Sequence, residues 1–312
     1  MSHLHVTTPL IESLSLGRAG SRRVWLKLEA LQPCGSFKAR GIGHLCQSLA
    51  AQGCKRFVSS SGGNAGLAVA YAGRKLAVPA TVVVPETTSP RAHKLIAAEG
   101  AQVIVHGQSW QEAHEHALSR VGEGARYIHP FDDPMIWEGH ATLVDELAAA
   151  AIKPDAIVLS VGGGGLFAGV ARGLSRNGWN DVALITAETL GSDSFAQSLA
   201  QDRIVELDRI RSIATSLGAK RICTRALELS RTYTTKARVV SDLSALRACL
   251  RFAEDHRLIV EPACGASLAL LYDEDPALEG FREVVLIVCG GAGVNHAELT
   301  LLEHEQAARE TA

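Results

Sequence analysis

An α/β architecture of two lobes, each a mostly parallel twisted sheet flanked by helices, is predicted by three features of this 312-residue chain. Short β-branched runs alternate with helix-like segments, which is the pattern of parallel sheets. Several of those runs end in glycine, as strands do when they turn directly into helices. With 47% hydrophobic and 21% charged residues, the chain is also long and apolar enough to fill a large core.

The elements follow in order. Residues 24–29 read as a strand ahead of Pro33, followed by Gly35-Ser36-Phe37-Lys38-Ala39-Arg40-Gly41 and a helix-like run. Arg56-Phe57-Val58 leads into Ser59-Ser60-Ser61-Gly62-Gly63-Asn64-Ala65-Gly66 and a small-residue helix over 67–75. Residues 80–85 form the next strand, 92–99 a helix and 102–106 a further strand. The pattern then returns: a strand over 156–160, Val161-Gly162-Gly163-Gly164-Gly165, a helix through Arg172 and a strand over 182–187. A last strand over 284–288 feeds Cys289-Gly290-Gly291-Ala292-Gly293. Parallel sheets bind ligands at the carboxyl ends of their strands, so three glycine loops face ligand.

No linker or repeat period stands out. The turn Pro130-Phe131-Asp132-Asp133-Pro134 marks the return from a small domain, 31–135, to a large domain built from 1–30 and 136–312. The charged end, 303–312, is expected to fray.

A formal charge of −2 and the lack of any Lys/Arg-rich run exclude nucleic acid and an anionic membrane as obvious partners, leaving a small molecule. The start lacks a signal-like region and the apolar runs are too short to span a bilayer, so a cytoplasmic protein is expected. The seven cysteines are an odd number without a C-x-x-C pair, and free thiols are expected. His114 and His116 stand about 200° apart on a helix, the wrong spacing for shared metal ligation.

Four segments carry chemistry. Lys38, held among small residues and beside an aromatic, reads as a Schiff-base lysine, since a desolvated amine loses its proton and condenses with an aldehyde. Residues 162–165 have no side chains to block approach, and their amides, backed by a helix start, suit a phosphate, although such a loop also serves as a plain tight turn. Residues 61–66 add Ser and Asn side chains, suited to a carboxylate or a cofactor hydroxyl. Cys289 ends a strand before two glycines, where a thiol could approach a flat ring. A rival reading takes Gly163-Gly164-Gly165-Leu166-Phe167-Ala168 as G-x-G-x-x-A, with Glu188 on a ribose, making an NAD-dependent oxidoreductase. That reading leaves Lys38 and residues 61–66 unexplained.

Together these segments resemble the fold-type II pyridoxal-phosphate enzymes (the tryptophan synthase β-like group), and within them the L-serine dehydratases, or L-serine/L-threonine ammonia-lyases, of the mammalian liver type. The similarity runs through Thr8-Pro9-Leu10, Ser36-Phe37-Lys38, Ser60-Ser61-Gly62-Gly63-Asn64-Ala65-Gly66, Phe131-Asp132-Asp133-Pro134, Trp137-Glu138-Gly139-His140, the glycine loop with Leu166, Glu261-Pro262-Ala263-Cys264-Gly265-Ala266 and Cys289-Gly290-Gly291. It implies that Lys38 forms the Schiff base and removes the α proton. Phe37 lies beside the pyridine ring, Gly162, Gly163, Gly164, Gly165 and Leu166 form the phosphate cup, Asn64 bonds the ring hydroxyl, and Cys289 with Gly290 faces the ring nitrogen. Ser61, Gly62, Gly63, Asn64 and Ala65 clamp the substrate carboxylate. Gly162, Glu188, Ser192, Leu217 and Ala219 match positions that hold a monovalent cation, usually potassium, and a homodimer is the family's habit.

The implied reaction is α,β-elimination of L-serine, and of L-threonine, to pyruvate or 2-oxobutyrate and ammonia. One departure is Gly62, which stands where the active liver enzyme carries Ala, so a low-activity or inactive amino-acid-binding relative is the alternative. No regulatory domain is expected after the last helix.

Overall fold

The computed structural model describes residues 3–17 and 22–310. In chain order the elements are β1 (Leu10–Glu12), β2 (Arg23–Lys27), α1 (Lys38–Ala51), β3 (Arg56–Ser59), α2 (Asn64–Leu76), β4 (Ala80–Val84), α3 (Pro90–Ala98) and β5 (Gln102–Val105). Then come α4 (Trp110–Ser119), β6 (Ala125–Tyr127), α5 (Pro134–Ala149), β7 (Ala156–Ser160), α6 (Gly165–Arg176), β8 (Ala183–Thr189) and α7 (Ser194–Gln201). The remainder is α8 (Thr224–Ser230), β9 (Thr235–Val240), α9 (Asp242–His256), α10 (Pro262–Tyr272), β10 (Glu283–Ile287) and α11 (His296–Glu310).

Two sheets result. The larger has the order β1-β2-β10-β7-β8-β9, parallel except for β1, and the smaller is β5-β4-β3-β6, parallel throughout. Strands β7 and β4 are buried along their whole length, as central strands covered by helices on both faces must be. Val285 pairs with Trp25 on one side and Ile157 on the other, which centres β10 in the large sheet. The strand over 24–29 thus joins the large sheet, as the sequence predicts, although it spans Arg23–Lys27.

Helix α2 begins at Asn64, three residues earlier than expected. Gly66 causes the difference: it lies inside the helix, where a Cβ would overlap the Ser61 carbonyl oxygen. At the other end of the chain, α11 runs through the charged segment to Glu310, with Glu303 paired to Arg247 Nε at 3.0 Å; residues 311–312 lie outside the described residues.

Helix α1, whose first residue is Lys38, is anchored by a buried ion cluster. Arg40 bonds both Glu29 oxygens through Nε (2.7 Å) and Nη2 (2.8 Å), and bonds Glu146 on α5 through Nη1 at 2.6 Å. Lys27 pairs with Glu146 and donates to the Thr8 carbonyl at 2.7 Å. Two cations and two anions balance, and most of their hydrogen-bonding groups are used, which is the condition for burying such a cluster. The amino terminus of α1 is therefore fixed against the large sheet. All seven cysteines are free thiols, and no helix among the described residues is long and apolar enough to cross a membrane.

Candidate active site

Main-chain bonds bring Lys38 to the loop after β10. Ser36 forms an isolated antiparallel bridge with Gly290, Phe37 N donates to the Cys289 carbonyl at 3.2 Å, and Gly291 N donates to the Gly35 carbonyl at 2.8 Å. Gly290 adopts φ +90° and lies against Gly35 and Ala30, so only glycine fits this crossing. The Lys38 amine reaches across to donate to the Pro130 carbonyl at 2.5 Å and sits 5.2 Å from the Phe37 ring centre. The Phe37 ring itself packs against His140, with ring centres 4.9 Å apart.

Burial pulls the Lys38 amine down to about 8, against the opposing effect of the Glu261 carboxylate. A lysine in this state has a substantial neutral fraction near neutral pH and can act as nucleophile or base. Cys289 goes the other way: its hydrogen bond with Cys264, together with burial, holds the thiol well above its ordinary range. It is a neutral thiol, with no negative charge to offer a ring nitrogen.

The glycine loop adjoins this lysine. Phe131, next to the carbonyl that receives the amine, backs both Gly163 and Gly165 so closely that a Cβ on either would strike it. Gly164 takes φ +87° against Ala226 and Cys223, and Cys223 N donates to the Gly163 carbonyl at 2.9 Å. With their backs packed, these glycines present main-chain amides at the start of α6, which no side chain caps. Leu166, in the first turn of α6, is buried beneath. Uncapped amides at a helix start with this shape fit a phosphate dianion.

The Ser61–Ala65 segment forms a second uncapped helix start, that of α2. Gly63 N donates to Ser61 Oγ at 3.4 Å, Gly62 faces Thr88, and Ala65 is buried. Asn64 reaches further. Its Nδ2 donates to Glu261 Oε1 at 2.6 Å and to Ser216 Oγ at 3.3 Å, while its Oδ1 accepts from Ala292 N at 3.2 Å. Since Ser216 adjoins Gly162, Asn64 lies between the lysine side and the phosphate-loop side of the cleft.

Glu188 is not free for a ribose. It lies within β8, fully buried, and its oxygens accept from Phe195 N (2.9 Å) and Ala196 N (2.7 Å), capping α7. Burial lifts its carboxyl to about 8. The dinucleotide reading fails on that geometry. Around the same place Gly162 lies against Leu217, Ala219 N donates to the Leu217 carbonyl at 2.7 Å, Ser194 Oγ donates to the Ala219 carbonyl at 3.1 Å, and the buried Ser192 hydroxyl has no hydrogen-bond partner among the described residues. This corner is rich in carbonyl and hydroxyl oxygens.

Sequence reasoning missed Glu261, Ser216, Ser194 and Thr88 as site residues. Glu261 belongs to a quoted motif, but before Pro262 it reads as an ordinary helix start; the others come from loops without local pattern.

A parallel α/β fold holding an enclosed lysine of lowered pKa beside an uncapped glycine helix start defines a class: enzymes that bind a phosphorylated aldehyde cofactor. Residues 1–290 match the family model described as pyridoxal-phosphate dependent enzyme, and the chain belongs to that family. It is 46% identical to the human L-serine dehydratase/L-threonine deaminase, over 97% of this chain and 95% of that protein. It is also 46% identical to the human serine dehydratase-like protein, over 96% of this chain and 94% of that one. Among solved structures, a fungal L-serine ammonia-lyase from Rhizomucor miehei superposes with a TM-score of 0.90 at 38% identity, covering 96% of this chain and 98% of that chain.

Proposed function

We propose that this protein is a pyridoxal-phosphate dependent L-serine ammonia-lyase that also takes L-threonine, releasing pyruvate or 2-oxobutyrate and ammonia. The observation that carries the reading is the Lys38 amine, enclosed at the Pro130 carbonyl between the glycine loop and Cys289. Relatives named L-serine dehydratase, covered along nearly their whole length, support the substrate class.

When bound, pyridoxal phosphate supplies an aldehyde and a ring that accepts electrons. The chain does the rest. Amides of Gly163, Gly164, Gly165 and Leu166 hold the phosphate at the start of α6. Lys38 would hold the cofactor through its amine and, when that amine is free, is placed to take the α proton of the substrate, a role matched to a group titrating near 8. The Ser61 hydroxyl and the amides from Gly62 to Ala65 hold the substrate carboxylate at the start of α2. Asn64 addresses the ring hydroxyl. Cys289, as a neutral thiol, would offer a ring nitrogen no proton-holding partner, and so would favour elimination over transamination.

Gly162, Glu188, Ser192, Leu217 and Ala219, with Ser194, hold a monovalent cation of the potassium class, bracing the turn beside the phosphate loop. A cytoplasmic homodimer completes the reading. The test is pyruvate and ammonia release from L-serine by the cofactor-loaded protein, in potassium and again with tetramethylammonium as the only cation. Turnover that falls in the second buffer supports both halves; no pyruvate in either rejects the lyase.

A further inference from the structure

Glu261 is a buried carboxylate that the mechanism above does not use. It stands at the start of α10 yet caps nothing there. Instead it accepts from Asn64 Nδ2 at 2.6 Å and from Ser216, with Gly293 N also directed at it. The neighbouring glycines leave room for it: at Gly291, whose φ is +124°, a Cβ would overlap the carboxyl group. Among the described residues, no arginine or lysine pairs with it by hydrogen bond. The titratable groups facing it are Lys38 from α1, Cys289 from the loop after β10 and Cys249 from α9.

An amide nitrogen has two hydrogens. Glu261 takes one from Asn64, and Ala292 N fixes the amide oxygen, so the rotation of the amide is set. The second hydrogen, now directed at Ser216 across 3.3 Å, is the one left for a ligand. We propose that Glu261 is a positioning residue: it fixes the orientation of Asn64 so that the remaining amide hydrogen meets the ring hydroxyl of pyridoxal phosphate. An ionised carboxylate is a stronger acceptor than a neutral carboxyl, so it holds the amide in that rotation more firmly. Burial lifts Glu261 to about 7, so this assistance strengthens as the carboxyl ionises through neutral pH.

The inference rests on the pyridoxal-phosphate reading, and the test separates the two. Wild type, Glu261→Gln, Asn64→Ala and the double variant are loaded with pyridoxal phosphate, and the dissociation constant and the pH titration of the visible absorbance are measured. Glutamine keeps the shape but can turn its own amide toward Asn64. Glu261→Gln should weaken binding about tenfold alone and less than twofold in the Asn64→Ala background. The absorbance midpoint should move to lower pH, because the negative charge that favours a protonated nitrogen at Lys38 is gone. A dissociation constant and midpoint equal to wild type overturn the proposal, as does an equal loss in both backgrounds. Should Glu261→Gln fold poorly, Ser216→Ala carries the test: removing one donor to the carboxylate moves the midpoint the same way, and an unmoved midpoint overturns the proposal. Wild-type protein that takes up no pyridoxal phosphate sinks the cofactor reading itself.

Discussion

Replacing Gly62 by alanine tests whether this chain has adapted to its small carboxylate loop. An added methyl would stand 2.6 Å from Thr88 Cγ2 and 2.7 Å from Thr88 Oγ1, well inside ordinary contact. Overpacking of this kind costs about 1–3 kcal/mol. Against it stands a gain of about 0.4–1 kcal/mol from the less flexible unfolded chain, since the glycine does not use the left-handed region. The net expectation for Gly62→Ala is a loss of about 1–2 kcal/mol, read as a fall of roughly 2–6 °C in melting temperature. In a Thr88→Ala background both offending atoms are gone, so the same replacement should become neutral or stabilising. The coupling from the four-variant cycle should be about 1–3 kcal/mol. With the clash removed, a stiffer loop should also lower KM for L-serine about threefold, because less freedom is lost on binding. The assay is thermal melting and steady-state kinetics of all four proteins. A loss that is the same size with and without Thr88 refutes the reasoning.

Three further outcomes follow from the same geometry. Lys38 titrates near 8 when folded against 10.5 when free, so the folded state is penalised by up to about 3 kcal/mol below pH 8, and the penalty fades as pH rises toward 10.5. Cofactor-free Lys38→Met should therefore melt above cofactor-free wild type at pH 7, with the gap closing by pH 10; a gap that widens with pH contradicts the assignment. Arg40→Met strands Glu29 and Glu146 without their shared cation and should cost about 3–5 kcal/mol in denaturant unfolding, whereas a cost below 1 would mean that the cluster does not anchor α1. Cys289→Asp places a carboxyl where a neutral thiol stands, and the share of turnovers ending in transamination should rise; an unaltered ratio of pyruvate to pyridoxamine phosphate argues against the role given to the thiol.

Much of the fold is legible because parallel strands covered on both faces must be apolar throughout. The strand over Ala156–Ser160 could be read to the residue, and the glycines after it mark the turn into α6. Other elements leave weaker traces. Helix α10 is buried on every side, so its apolar residues show no helical period, and β9 is an edge strand whose side chains are half-exposed. The site divides in the same way. Lys38, the two glycine loops and Cys289 are visible in the sequence because the feature that marks each one is local to its own segment of chain. Glu261, Ser216 and Thr88 act on Asn64 or Gly62 across 197, 152 and 26 positions of sequence, and only the folded chain brings them together. Glu188 shows the converse: its place at a strand end looks like a ribose ligand, and only the amides of α7 reveal where its oxygens are used.

The most direct measurement is reduction of the pyridoxal phosphate-loaded protein with borohydride, followed by digestion and peptide mass analysis. The account predicts a single phosphopyridoxyl group on the peptide that contains Lys38, with the visible colour lost in step. Label on any other lysine, or an unlabelled Lys38 in protein that had been fully coloured, would contradict it.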